Sequence, residues 1–162
     1  MKYAAKTSVA SDKSQGEIRK ILARYGATKF GYMEEDQRAV IAFEIHGRRI
    51  RFVLPLPSRM DDIIVKTAHA DAWRRKTRSI AAQHEAYEQA IRQRWRALTL
   101  AIKAKLETVE SGIATFEEEF MAYVVLPSGQ TVGEWMHPQI EASYASGKMP
   151  PLMLTAGEER VQ

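Results

Sequence analysis

The side chains able to do acid–base or metal chemistry are dispersed along this chain. His46, His69, His84 and His137 show neither HxH nor HExxH spacing, so no imidazole pair is set to share a metal from one helix face. His84 and Glu88 stand one helical turn apart, but two ligands on a helix surface are a thin basis for a metal site. His84 also falls on an apolar stripe, where a core histidine is expected. Asp36, Glu44 and His46 share one predicted hairpin and lack the lysine that metal-dependent phosphodiester cleavage expects after the acidic strand residue. Cysteine is absent, which removes disulfides, thiol nucleophiles and every Cys-bearing zinc pattern. No glycine-rich loop has Walker or dinucleotide spacing, and Ser128 lies in a Pro-Ser-Gly turn without a nucleophile-elbow context. An enzyme is the least supported class. No cofactor and no metal are expected.

The chemistry that remains is electrostatic. Residues 1–105 carry 22 Lys+Arg against 11 Asp+Glu, a net of +11, and residues 106–162 carry 2 against 9, a net of −7. The formal total of +4 hides this polarity. Between Trp73 and Lys105 there are nine Lys+Arg and only Glu85 and Glu88, whereas a merely solvated helix interleaves signs. Arg74, Arg75, Lys76 and Arg78 form a dense cluster beside Trp73. On a helical wheel Arg92, Arg96 and Lys103 fall together, opposite Ile91, Leu98 and Ile102. Cations on a rod neutralise phosphates and release counterions, giving sequence-independent affinity for nucleic acid. Arg48, Arg49 and Arg51 form a second basic group near a predicted hairpin tip, with Arg38 at the start of the partner strand. Phe30, Tyr32 and Phe43 nearby would make a stacking platform if exposed, but alternation turns most of them inward. Arg94 and Lys105 project within the apolar stripe, where they either snorkel or pair with Glu117, Glu118 and Glu119 in the same chain or a neighbouring subunit.

The elements that must position these groups follow from periodicity. The fold class expected is α+β: a short N-terminal helix, a three-stranded antiparallel sheet, a long basic helix and a helical acidic C-terminal part. Ser14-Gln15-Gly16-Glu17 has the capping-box pattern, and Ile18, Ile21, Leu22 and Tyr25 have helical spacing, predicting a helix over 15–25 that stops at Gly26. Strands are predicted at 29–33, 38–46 and 49–54, with Ile41, Phe43, Ile45, Ile50, Phe52 and Leu54 on one face and Gly47-Arg48 closing the second hairpin. From Asp71 the period becomes helical. Trp73, Thr77, Ile80, His84, Tyr87 and Ile91 lead a stripe that runs to Gly112, weakest before Ile80. Thr115-Phe116-Glu117-Glu118 and Thr131-Val132-Gly133-Glu134 are two further capping-box patterns, Pro138 interrupts or restarts the last element, and Gly147 ends it. The chain reads as one domain over 1–162: an arm at 1–13, a core at 14–112, a helical part at 113–154 and a frayed tail at 155–162. Met149 to Leu154 is an apolar segment expected to pack on the body. Met1 to Ala10 has no apolar run of the secretory kind, and no stretch approaches the ~20 apolar residues that span a bilayer. A soluble protein of a reducing cytoplasm, without membrane partners, is expected.

The string TFEEEFMAYVVLPSGQTVGEWMHPQIEASYASGKMPPLM, with RRIRFVLPLP and RWRALTLAIKAKLE upstream, resembles small proteins encoded by tailed bacteriophages and prophages. That resemblance implies a phage context and a host bacterial cytoplasm. The order helix, three antiparallel strands, long helix is also similar to the core of phage single-strand annealing proteins, which bind DNA between hairpin and helix and assemble head-to-tail. The function expected is a phage-encoded nucleic-acid-binding protein, DNA before RNA, of the single-strand binding, annealing or recombination-accessory kind. Head-to-tail homo-oligomers joined through opposite charge are a partner expectation. The alternative is a protein-interaction module, such as an inhibitor of a host nuclease or anti-phage defence complex.

Overall fold

The computed structural model describes residues 4, 7–69 and 71–148. The fold is α+β, and among the described residues it comprises five α-helices and one three-stranded antiparallel sheet of order β1-β2-β3. Residues 1–3, 5 and 6 of the 1–13 arm, the apolar 149–154 segment and the 155–162 tail lie outside the described residues.

Helix α1 spans Ser11–Arg24 and so begins inside the stretch read as an arm. Its N-cap is Ala10, which makes no side-chain cap hydrogen bond. The capping-box reading of Ser14 and Glu17 fails because the helix starts at Ser11, so that the Ser14 N–H already donates to the Ala10 carbonyl at 3.1 Å. Ser14 is fully buried and its carbonyl accepts from Thr99 Oγ1 at 3.4 Å, while Glu17 pairs with Arg96. Ile18 and Leu22 form the buried side of α1, and Gly26, at φ 82°, ends it as expected.

The strands are β1 (Thr28–Glu35), β2 (Arg38–Ile45) and β3 (Arg48–Pro55). The β2–β3 turn is His46-Gly47, one residue earlier than predicted, and both residues have positive φ (49° and 70°). Such a turn matches the right-handed twist of the flanking strands. Alternation places Ala39, Ile41, Phe43 and Ile45 of β2 and Ile50, Phe52 and Leu54 of β3 inward, all buried. β1 carries a bulge between Thr28 and Gly31, where Lys29 takes φ 51°. The outer sheet face leaves Met33 and Val53 about half exposed (52% and 45%).

After α2 (Asp62–Val65) and a 3-10 turn at Ala72–Arg74, helix α3 runs Ile80–Glu110. The helix predicted from Asp71 is therefore broken where its stripe is weakest. Ser79 caps the restart, its hydroxyl accepting from the Ala82 N–H at 3.3 Å. The buried side of α3 is Ala90, Ile91, Trp95, Thr99, Ile102 and Leu106. Trp73, Ile80 and His84 are exposed, and the core histidine reading of His84 is corrected. Helices α4 (Phe116–Phe120) and α5 (Val132–Ser146) open with the two predicted capping boxes, on Thr115 with Glu118 and on Thr131 with Glu134. Helix α5 passes through Pro138 without interruption and stops at left-handed Gly147.

One core joins α1, α3, α4 and the inner sheet face, with Trp95, Phe43, Ile102 and Phe120 essentially inaccessible to solvent. Emptying that core is costly. Ile102→Ala should lower unfolding free energy by about 2–5 kcal/mol, whereas Ile80→Ala, at a position 86% exposed, should change it by less than about 0.5 kcal/mol. Urea titrations of the two variants test the assignment of the buried stripe.

Candidate nucleic-acid interface

The segment between β3 and α3 is a closed loop rather than the first turns of a helix. Leu56 and Pro57 are buried, and Ile64 of α2 anchors the loop with 1% exposure. Its neck is a small antiparallel bridge, Lys66 against Thr77. Thr67 N–H donates to the Lys76 carbonyl and Arg78 N–H to the Val65 carbonyl, both at 2.8 Å. The Thr67 hydroxyl accepts from the Lys76 N–H at 3.0 Å. Arg78 adds a guanidinium bond to the Lys66 carbonyl, so its side chain closes the neck instead of facing solvent freely.

Beyond this neck the tip presents Trp73 at 77% exposure. The Arg74 guanidinium lies 4.6 Å from the centroid of that ring and 3.7 Å from the Asp71 carboxylate. A cation over an indole face is favourable, and Arg stacks there flat. Arg75 donates to the His69 carbonyl at 3.2 Å, and Lys76 has an exposed side chain without a partner among the described residues. Arg59 sits over the Tyr87 ring at 4.2 Å on the flank that joins the loop to α3. Sequence reading passed over Arg59 and Lys66 because the continuous-helix expectation left no loop for them to join. Met60, Ile63 and Ile80, all well exposed, surround the same end of the molecule.

The other predicted cations separate into tied and free groups. Arg92 donates twice to Gln89 Oε1 (3.0 and 2.7 Å), and Arg96 pairs with Glu17 at 2.6 Å. Both are half-buried on the flank of α3 that receives α1, so the ridge reading reduces to Lys103, which is exposed. Arg94 is also exposed, outside the apolar stripe. Lys105 is half-buried and donates to the Glu119 carbonyl at 2.9 Å and carboxylate at 3.1 Å. That pairing was one of the two sequence expectations for Lys105, and it is made within the chain. Glu118 is occupied as the α4 cap, with its carboxyl held below the usual range by the Thr115 N–H and hydroxyl, and Glu117 is exposed.

At the hairpin, Arg48 and Arg49 are exposed, but Arg51 donates to the Gly129 carbonyl (2.8 Å) and to Glu134 (2.6 Å). Arg38 pairs with Glu35. No stacking platform forms there. Phe43 is buried, Phe30 partly so, and Tyr32, 41% exposed, leans on Trp95. His46 at the hairpin turn packs on Phe116, beyond the C-terminal end of α3, while the Trp73 loop lies at its N-terminal end. Thirty-one residues separate those ends, roughly 45 Å at 1.5 Å per residue. Arg74, Arg75 and Lys76 are thus brought together; Arg48 and Arg49 form a distant patch.

Among the described residues no group of three or more His, Asp or Glu side chains could hold a metal, and no helix is long and apolar enough to cross a membrane. Comparison with protein-family models, curated proteins and solved structures finds no match to this chain.

The tied arginines give a test that separates structure from binding. Arg51→Met should lower the urea midpoint, and Arg49→Met should leave it unchanged. Glu134 has its carboxyl pushed below the usual range, first by the Thr131 N–H and then by Arg51. A carboxyl depressed in the folded state stabilises above its unfolded pKa, and that contribution is lost as pH falls through the folded value. Thermal unfolding from pH 7 down to 3 should therefore show a shallower acid loss in Glu134→Gln than in the wild type.

Proposed function

We propose that this protein binds single-stranded nucleic acid through the Trp73 loop. The observation that supports this reading is a tryptophan 77% exposed beside three consecutive cations, Arg74, Arg75 and Lys76. Large aromatic side chains are mostly buried, and here the loop neck is hydrogen-bonded in a way that holds the ring out. One ring face carries the Arg74 guanidinium, and the opposite face can take an unpaired base. Base–aromatic stacking tolerates any sequence, because every base has a π-face, and cations beside it track the backbone. Lys103 and Arg94 are further exposed cations on α3, on opposite flanks of its buried stripe, and Arg48 and Arg49 offer a second phosphate contact at the far end. In this reading the protein is a phage-encoded single-strand DNA binding, annealing or recombination-accessory factor working in the host cytoplasm.

A second reading, a protein-interaction module such as an inhibitor of a host nuclease or defence complex, draws on α5. That helix has no fully buried residue and exposes Ile140 and Tyr144.

Fluorescence anisotropy with an oligo-dT probe decides between them. Each phosphate neutralised on a single strand contributes a log–log salt slope of about −0.7, so the three loop cations should give roughly −2. Trp73→Ala should weaken binding by about fivefold to a hundredfold, in line with ~1–3 kcal/mol per stacked base, and Trp73→Phe should keep most of it. Binding that is absent at low ionic strength, or flat in salt, would sink the nucleic-acid reading. Binding lost in Ile140→Asp rather than in Trp73→Ala would move the contact to α5.

A further inference from the structure

The two edges of the sheet are finished differently. The outer edge of β3 is covered by the chain after α4: Val124 bridges Ile50, and Val125 N–H donates to the Arg49 carbonyl at 2.8 Å. The outer edge of β1 pairs with nothing among the described residues, although the strand is eight residues long and leaves Tyr32 and Met33 substantially exposed. Unpaired N–H and C=O groups in a row are a template for another strand. Helix α1 runs beside this edge and leaves a groove of about 220 Å³ whose wall includes Asp12, Gln15, Gly16 and Arg19 above Phe30 and Tyr32.

Gly31 ends the bulge of β1, where a strand glycine is commonly found. Gly16, in the body of α1, has no such role: a side chain there would meet nothing within 4 Å, and its φ is not the positive one that favours glycine. Glycine weakens a helix interior, and its missing side chain leaves room for another backbone to approach closely.

The charges select the occupant. On β1 the charges are already taken, Lys29 by Glu44 at 2.8 Å and Glu35 by Arg38 at 2.6 Å. The groove wall on α1 instead offers one charge of each sign, Asp12 and Arg19, seven residues apart and neither paired among the described residues. An antiparallel neighbour with the same sequence, related by a two-fold axis near Gly31 and Gly16, sets Asp12 toward Arg19, a contact made twice. Such self-complementarity is what an isologous interface requires. We infer that the β1 edge and the adjoining flank of α1 are the interface of a two-fold homodimer, in which the two sheets join into one six-stranded sheet.

The test is sedimentation of the full chain across a concentration series, with far-UV circular dichroism on each variant. Wild type should show twice the chain mass. Gly16→Gln, which improves helix propensity, and Arg19→Asp should keep the native spectrum but raise the dimer dissociation constant by about tenfold each, since every lost contact counts twice. Asp12→Arg combined with Arg19→Asp should restore the dimer. A monomeric wild type, or an assembly that both single variants leave unchanged, overturns the inference. Trp73 lies outside this interface, so a failure of nucleic-acid binding would leave the dimer standing, and the reverse holds too.

Discussion

Everything in this molecule depends on burying one face of a small sheet against one stripe of one helix. Three strands present Ile41, Phe43, Ile45, Ile50, Phe52 and Leu54 to a single side, and α3 answers with Ile91, Trp95, Ile102 and Leu106. A sheet that is apolar on one face must bury that face against another element. The packing is tight enough to take Trp95 wholly out of solvent, together with Thr99, whose hydroxyl is satisfied by the Trp95 carbonyl at 2.9 Å. Helix α1 and the Phe116–Phe120 pair then close the two ends of that layer.

A two-layer arrangement leaves the remaining surfaces for other tasks. Because α3 is held along most of its length, the connection into it is free to project, and the Lys66–Thr77 neck fixes that projection rather than letting it collapse. The same economy explains why the cations differ in kind. Arg51 and Arg96 reach across element boundaries to Glu134 and Glu17, Arg92 reaches back one turn of α3 to Gln89, and all three are half-buried structural ties. Arg74, Arg75 and Lys76 lie where no second layer exists to absorb them.

Much of the fold was legible in the sequence because its signals are local. Alternation named the inward residues of β2 and β3, and the capping boxes at Thr115 and Thr131 named two helix starts. The pattern at Ser14 met a different fate, since the helix begins three residues before it, at Ser11, and Glu17 is drawn to Arg96. The cations near Trp73 were legible as a cluster but not as a loop tip. A stripe counted by spacing alone cannot say that Thr77 pairs with Lys66, eleven residues earlier, and so leaves Trp73 on the loop between them. That Arg51 and Arg96 are tied was equally hidden, because their partners are 78 or more residues distant.

The acidic groups Glu107, Glu110, Glu117, Glu118 and Glu119 gather at the C-terminal end of α3, and the cations of the Trp73 loop stand just before its N-terminal end. Helix stability alone would favour the reverse, with anions at the N-terminus and cations at the C-terminus. Here the side-chain charges and the aligned peptide dipoles of the longest helix point the same way. That arrangement works against α3 itself, and Arg48, Arg49 and Lys103 offset only part of it at the acidic end. Added salt screens exposed charges from the helix ends, so the two ends of α3 should fray less as ionic strength rises.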